Sequence, residues 1–429
     1  MKKLLLILLI PIIGFGQGWE TTFGGTGIDK GQSVQQTTDG GYVIVGQTGA
    51  TGQPGSVYLL KTDGNGVEQW SQTFFGISGA SGNSVQQTTD GGYVIVGQTA
   101  ILGTSFESDV YLIKTDGSGI EQWGQTFGGA YPFLDNGFSI QQTTDGGYVI
   151  VGSSYSSQAG ALANILLIKT DGNGVEQWSQ SFGGALDDEG YSVQQTTDGG
   201  YIITGKVDGS FDGSQDSDIC LKKTNGNGVV QWSQTFGGTE NDFGKSVQQT
   251  NDGGYIITGM FDASDICLIK TDGNGVEQWS QIFGGNGENS QGYSVQQTTD
   301  GGYIITGQIR VTSPVSDWDV YLIKTDGSGI EQWSQTFGGT SDDFGYSVQQ
   351  TTDDGYIITG CTGDYPSDIY LIKTDGSGNA TSTFNIPINP NRKLEKTVDL
   401  LGRETKPQTN TPLIKIYDDG TVEKRIVIE

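Results

Sequence analysis

Carboxylates are the one kind of chemistry-bearing side chain this sequence offers in number. Its 429 residues hold 49 Asp and Glu against 22 Lys and Arg, and no histidine at all. Without imidazole there is no His-based triad, no His metal site and no imidazole acid–base catalysis. What remains is work that carboxylates do unaided. Two carboxyl groups roughly 5 to 10 Å apart can hydrolyse a glycosidic bond, and oxygen-rich loops can hold Ca²⁺. Two sets of Asp recur along the chain. One stands four residues before a repeated Ser: Asp29, Asp135, Asp188, Asp242 and Asp343. The other opens a repeated D-I-Y-L run: Asp109, Asp218, Asp265, Asp319 and Asp368. A ring of these carboxylates could bind cations. Their recurrence favours the plainer role, in which each Asp hydrogen-bonds its own turn.

A discrete site breaks repeat symmetry, so residues outside the pattern are more informative. The segment from Val207 to Asp218 gathers Asp208, Asp212, Asp216 and Asp218 among Gly and Ser. It is the candidate Ca²⁺ site, although its spacing is not that of an EF-hand and a solvated acidic loop is the bland alternative. No cofactor is expected beyond Ca²⁺ at this candidate site. The off-repeat acids Asp208, Asp212, Asp262, Asp317 and Asp364 are the pool from which a catalytic carboxylate pair would be drawn. Six aromatics also fall outside the strand pattern: Phe106, Tyr155, Phe211, Phe261, Trp318 and Tyr365. On a polar, acidic rim such side chains suit sugar faces or a protein partner. The competing role is to cover the ends of the core.

The elements that must position these residues are written seven times. Each copy reads S-V-Q-Q-T-T-D-G-G-Y-I-I-T-G, a variable stretch, then D-I-Y-L-I-K-T-D-G-x-G-x-x-Q-W-S-Q-T-F-G-G. The marking Trp falls at 19, 70, 123, 178, 232, 279 and 333. A period near fifty made of short strands and Gly-rich turns predicts an all-β, seven-bladed β-propeller over residues 18–378. Strands A (S-V-Q-Q-T), B (Y-I-I-T-G), C (D-I-Y-L-I-K-T) and D (V-E-Q-W-S-Q-T-F) build each blade, with B buried on both faces. Asp-Gly and Asn-Gly pairs supply the tight A–B and C–D hairpins. The chain opens on a lone strand D, Trp19 to Phe23, and the last repeat lacks one. The N-terminus therefore supplies the outer strand of the seventh blade and closes the ring, whereas an open solenoid would need no such complementarity. Short A–B and C–D turns lie on one face. The B–C and D–A loops, which carry the variation, form the candidate working face. Cys220, Cys267 and Cys361 have no disulfide or zinc spacing and read as structural.

The ends of the chain have a different character. Lys2, Lys3, the apolar run Leu4 to Ile13 and Gly14-Phe15-Gly16 read as a signal peptide over residues 1–16, too short to be a membrane span in the mature chain. The repeat region carries 12 basic against 42 acidic residues, a surface that repels nucleic acid. Residues 379–390 read as a linker and residues 391–429 as a small β-rich unit. The run Val398-Asp399-Leu400-Leu401-Gly402-Arg403 and the ending Lys424-Arg425-Ile426-Val427-Ile428 resemble the C-terminal sorting domain of the type IX secretion system of Bacteroidota. That resemblance implies passage across the outer membrane, with the secretion machinery as a partner of residues 391–429. A G-x-Y before the last strand is lacking, since Pro412-Leu413-Ile414-Lys415-Ile416-Tyr417 stands there. The repeats are likewise similar to those of secreted Bacteroidota propeller proteins. Sialidase and quinoprotein propellers are only loosely echoed by Thr62 to Trp70, and neither activity is supported.

The reading is an exported, non-enzymatic propeller, secreted or on the outer cell surface. It binds a glycan or protein through the variable face. A passive structural surface protein, or a carboxylate-only glycoside hydrolase, is the alternative.

Overall fold

The computed structural model describes residues 18–50, 53–76, 78–100, 108–128, 134–155, 162–184, 186–208, 216–284, 289–311, 316–363 and 367–380, with 394–398, 412–417 and 422–426. Strand β1 (Trp19–Phe23) comes first and is followed by β2 (Lys30–Gln36), β3 (Tyr42–Thr48), β4 (Ser56–Thr62) and β5 (Glu68–Phe74). Strands β2 to β5 form one antiparallel blade in sequence order, and the pattern recurs through five more. In the seventh blade β26 (Asp343–Gln350), β27 (Tyr356–Thr362) and β28 (Asp368–Thr374) take β1 as their outer strand. The register runs from Trp19 opposite Lys373 to Phe23 opposite Ile369. The ring is a seven-bladed β-propeller latched by its N-terminal strand, as the truncated repeats at the two ends require.

Strand B is apolar because it lies between neighbouring blades. Val43, Ile44 and Val45 have no exposed surface, and the same holds for Ile304 and Ile305 five blades on. Val43, Val45, Val57 and Leu59 of the first blade pack with Val85, Tyr93, Ile95 and Ile113 of the second. The strand D Trp of each blade meets the strand B Tyr of the next, as Trp70 does Tyr93 with ring centroids 5.8 Å apart. The closing strand makes the same contact, Trp19 to Tyr42 at 5.9 Å. Each indole also lies over the C–D turn of the next blade. Trp70 leaves no room for a Cβ at Gly119, whose φ of +78° independently calls for glycine.

Two polar elements of the repeat turn inward. The lysine of L-I-K-T is buried in every blade: Lys61, Lys114, Lys169, Lys223, Lys270, Lys324 and Lys373. Each ammonium reaches back to the Asp of its blade's A–B turn, at 2.9–3.0 Å. It also donates to the carbonyl of the following Thr, as Lys114 does to Thr115 at 2.8 Å. The paired glutamines of S-V-Q-Q join the blades. The Gln87 N–H donates to Gln35 Oε1 of the preceding blade (2.6 Å), and Thr38 N–H donates back to Gln87 Oε1 (2.9 Å). Both bonds recur at all seven seams, including the one where the seventh blade meets the first.

Strand A begins earlier than its S-V-Q-Q-T core suggests. The D-x-G-x stretch before the Ser, which reads as a turn, continues the strand in the third, fourth and seventh blades, as in Asp135–Gln142. In all seven copies the residue before the Ser is skipped by the register, as Phe138 is between Gly137 and Ser139. Each is a β-bulge.

The three cysteines are free and buried, and burial pushes the Cys220 and Cys267 thiols up to about 12. The chain divides into two compact units, Met1–Thr381 and Ser382–Glu429. In the second, Leu394–Val398, Pro412–Tyr417 and Val422–Ile426 form a three-stranded antiparallel sheet with Pro412–Tyr417 in the middle.

Candidate functional site at the divergent mouth of the channel

Strand A lines the central channel, so a bulge in it re-aims one side chain per blade at the end nearest the D–A loops. The bulged residues are Gln32, Asn83, Phe138, Tyr191, Lys245, Tyr293 and Tyr346. No two neighbours among the first six are alike, although the Gly before and the Ser after each never change. The glycine is held by packing: a Cβ at Gly137 would lie 2.5 Å from Val96 of the preceding blade. Two flanking positions diverge as well. They are the residue two before the bulge and its strand B partner: Lys30 and Gln47, Ser81 and Gln98, Asn136 and Ser153, Glu189 and Lys206, Phe243 and Met260, Gln291 and Gln308, Phe344 and Cys361. Deeper in the channel the lining is uniform again. Val34, Gln35 and their counterparts surround a cavity of about 250 Å³, with Ile140 the one change.

The divergence has two sides. Blades one and two present amides, small polar groups and the Lys30 ammonium. Blades three to seven carry six half-buried rings, with Asn136, Ser153, Gln291 and Gln308 among them. Phe138 and Tyr191 stand 5.5 Å apart, Tyr293 and Tyr346 meet edge to face at 5.3 Å, and Phe344 stacks parallel to Tyr346 at 6.1 Å. Lys245 stands among these rings. Its Nζ lies 3.5 Å from the centroid of the Tyr191 ring and 5.3 Å from that of Phe243. Tyr191 Oη donates to Glu189 Oε2 at 3.0 Å, and Lys206 pairs with Glu189 Oε1 at 3.6 Å. Tyr293 Oη donates to Gln291 Oε1 at 2.8 Å. Burial pushes the Tyr191 and Tyr346 phenols well above their ordinary range, so both stay neutral. Burial also depresses the Lys245 ammonium to about 8, against the opposing pull of Glu189.

The recurring Asp residues do what turn-bound carboxylates do. Gly25, Gly184, Gly238 and Gly339 N–H groups donate to Asp29, Asp188, Asp242 and Asp343 at 2.6–2.9 Å. At the blade seams each meets the opening residue of the previous strand C. A Cβ placed at Gly237 would fall within 3 Å of both Asp218 Oδ1 and Asp242 Oδ2. Burial and then such neighbours push Asp242 and Asp319 up to about 6.

Of the six rim aromatics, Phe106, Phe211 and Tyr365 lie outside the described residues. Phe261 ends strand B of the fifth blade, half-buried, and packs against the core between the fourth and fifth blades. Tyr155 ends strand B of the third blade, half-buried, and burial and then Glu189 and Asp187 raise its phenol. Trp318 sits within strand C of the sixth blade, opposite Arg310, and its backbone N–H donates to Asp342 Oδ1 at 3.0 Å.

The candidate metal ligands separate in the same way. Asp212 lies outside the described residues, and Asp208 accepts from Ser217 Oγ and lies 3.9 Å from Lys206. Among the described residues no three carboxylates or thiols gather around a common metal position. A seam cavity of about 260 Å³ has Asp188, Asp208, Asp218 and Lys222 among its lining residues. Asp262 caps a tight turn at φ +48°, Asp317 is buried, and Asp364 lies outside the described residues. The bulge ring was missed in the sequence because D-x-G-x-S mimics a turn. Its signal was one changing letter inside an otherwise constant strand.

Fold and mouth together define the class, a seven-bladed β-propeller whose blades are alike except at one end of the channel. No family model matches the chain. Among curated proteins it is similar to the regulatory protein FlaEY of Caulobacter vibrioides, 26% identical over 237 residues. The match covers 49% of this chain and 24% of that protein, so the chain spans about a quarter of the relative's length. Among solved structures it is similar to a protein of unknown function from Dyadobacter fermentans, with TM-score 0.46 and 12% identity over 68% of this chain and 93% of that one. It is also similar to the Pan2 WD40 domain of Neurospora crassa, with TM-score 0.49 and 10% identity over 82% and 90%. At these levels no activity passes to this chain.

Proposed function

We propose that the protein is an exported binding module that seats a glycan at the divergent mouth of its channel. One observation carries the reading: twenty-one positions at this mouth differ among blades that are otherwise near copies, and six of them are rings gathered in blades three to seven, with Gln and Asn side chains among the rest. Rings stack on the C–H faces of sugars, and Gln and Asn exchange hydrogen bonds with hydroxyls. Neutral phenols and amides suit binding better than acid–base work, so the reading is non-enzymatic. Export rests on the signal-like residues 1–16 and the sorting-domain resemblance of residues 391–429. It predicts that removing 391–429 leaves the protein inside the cell envelope.

The test is a glycan array probed with the full chain and with Tyr346→Asn, which imports the residue of blade two. Selective binding lost in the variant supports the seat. Binding unchanged by Tyr346→Asn but lost in Trp318→Ala would move the seat to the outer rim. No binding by the native chain would sink the glycan reading.

A further inference from the structure

Resting on that glycan reading, we propose that the seat selects sugars bearing a carboxylate, with the Lys245 ammonium as counter-charge. The argument is an inventory of cations. The repeat region has twelve, and seven are the lysines buried against the Asp of their own A–B turns. Lys206 is paired with Glu189, Lys222 donates to Ser233 Oγ, Arg310 Nε donates to Ser316 Oγ, and Lys30 stands opposite Gln47 on the first blade. Lys245 is held differently. It stands over the faces of Tyr191 and Phe243, and no carboxylate among the described residues lies within ion-pair distance of it. Glu189, the acid of the preceding blade whose charge acts on Lys245, is already engaged by Lys206 and Tyr191 Oη.

In a chain with net charge −27, Lys245 is the ammonium that the bulge sets among the rings of the mouth. The other six bulge positions are all uncharged, so the fold does not demand a lysine there. Ring faces attract a cation without neutralising it. An anion placed beside Lys245 would therefore meet an uncompensated charge in a partly dry setting, with Phe138 and Tyr191 beside it to receive a sugar face. Phosphate esters fit less well than a carboxylate, because one ammonium beside Glu189 cannot balance a dianion.

The groups facing Lys245 are Tyr191, Phe243, Glu189 and Lys206. Its depressed pKa gives the pH sign. A uronate stays ionised throughout, while Lys245 loses its proton above about pH 8, so affinity should fall between pH 7 and 9.

The experiment is calorimetric titration of the full chain with paired oligosaccharides: oligo-uronates of galacturonate, glucuronate or mannuronate, each against the uncharged hexose oligomer of the same length. The expected result is at least a tenfold preference for one uronate over its neutral counterpart at low salt. Lys245→Met should abolish the preference, read as the ratio of charged to neutral affinity, while leaving thermal unfolding in place, and Lys245→Arg should retain most of it. Equal affinity for charged and neutral partners, or a preference that survives Lys245→Met, would overturn the proposal and leave the sugar seat standing. Binding of neither class would overturn both.

Discussion

The two faces of the propeller treat charge in opposite ways. On the face of the A–B and C–D turns, every blade repeats one device, an Asp bound to a buried Lys. Burial alone would raise Asp90, but hydrogen bonds from Thr88 Oγ1, Lys114 Nζ and Gly92 N–H bring it down to about 2. On the opposite face burial raises Asp188, Asp242, Asp319, Asp343 and Asp368, and the backbone donors to Asp188, Asp242 and Asp343 do not reverse it. The first face is uniform because each blade must solve the same folding problem. The second tolerates differences because the Gly–bulge–Ser frame is satisfied whatever side chain the bulge carries. Duplicated blades thus divide the labour, with one face fixing the ring and the other free to bind.

The largest effect should come from cutting the latch that both faces share. Deleting residues 18–23 removes Trp19 from its packing on Tyr42 and exposes the whole edge of β28. We expect loss of cooperative urea unfolding and the appearance of oligomers by size exclusion. A monomer with an unchanged transition would show that the ring does not depend on closure.

Breaking one ion pair on the uniform face should be milder and lopsided. Asp90→Ala leaves the Lys114 ammonium, whose side chain is 4% exposed, without its counter-charge and should cost about 3 kcal/mol. Lys114→Met leaves an Asp that is 59% exposed and hydrated, and should cost about 1 kcal/mol. Equal costs by denaturant titration would mean that the pair acts through packing alone.

Acid and base should separate the faces next. Asp39, Asp90, Asp145, Asp198, Asp252 and Asp300 sit at about 2 when folded, below their unfolded value. Their contribution is complete above about pH 4 and is lost as pH falls towards 2. Asp242 and Asp319 sit at about 6, above theirs, so the folded state holds extra protons between about pH 4 and 6. Stability from these groups falls as pH rises through that window. Asp319→Asn should therefore stabilise the protein by about 1 kcal/mol at pH 7, after allowance for solvent screening, and by almost nothing at pH 4. A gain of the same size at both pH values would rule out charge as its origin.

The sequence showed the blade count, the latch and the variable face because Trp, Tyr and Gly-rich turns recur with a period no other element imitates. Lys61 and Gln35 were illegible for a physical reason. A polar residue in a strand reads as solvent-facing, and only the ring brings the Asp39 turn or the next blade close enough to bury it. The rim aromatics were half legible: Phe261 is apolar and off-pattern, yet it caps a core. The bulge ring hid behind its own Asp and Gly, which belong equally to turns and to kinked strands.

The smallest expected effect tests that last distinction most directly. Tyr191→Gln gives the fourth blade the residue that the first blade carries at Gln32. The Gly190 frame, the bulge and the Ser192 bond to Val247 N–H stay in place. What is lost is the ring beside Phe138 and beneath Lys245, together with the donor to Glu189. Because the side chain is half-buried and its bulge is indifferent to residue type, the cost should be about 1 kcal/mol, a shift of a few degrees at most in thermal unfolding. Glycan affinity should fall by more than tenfold in the same variant. A cost several times larger would mean that the rings of the mouth are part of the core, and that the two faces differ less in purpose than their charges indicate.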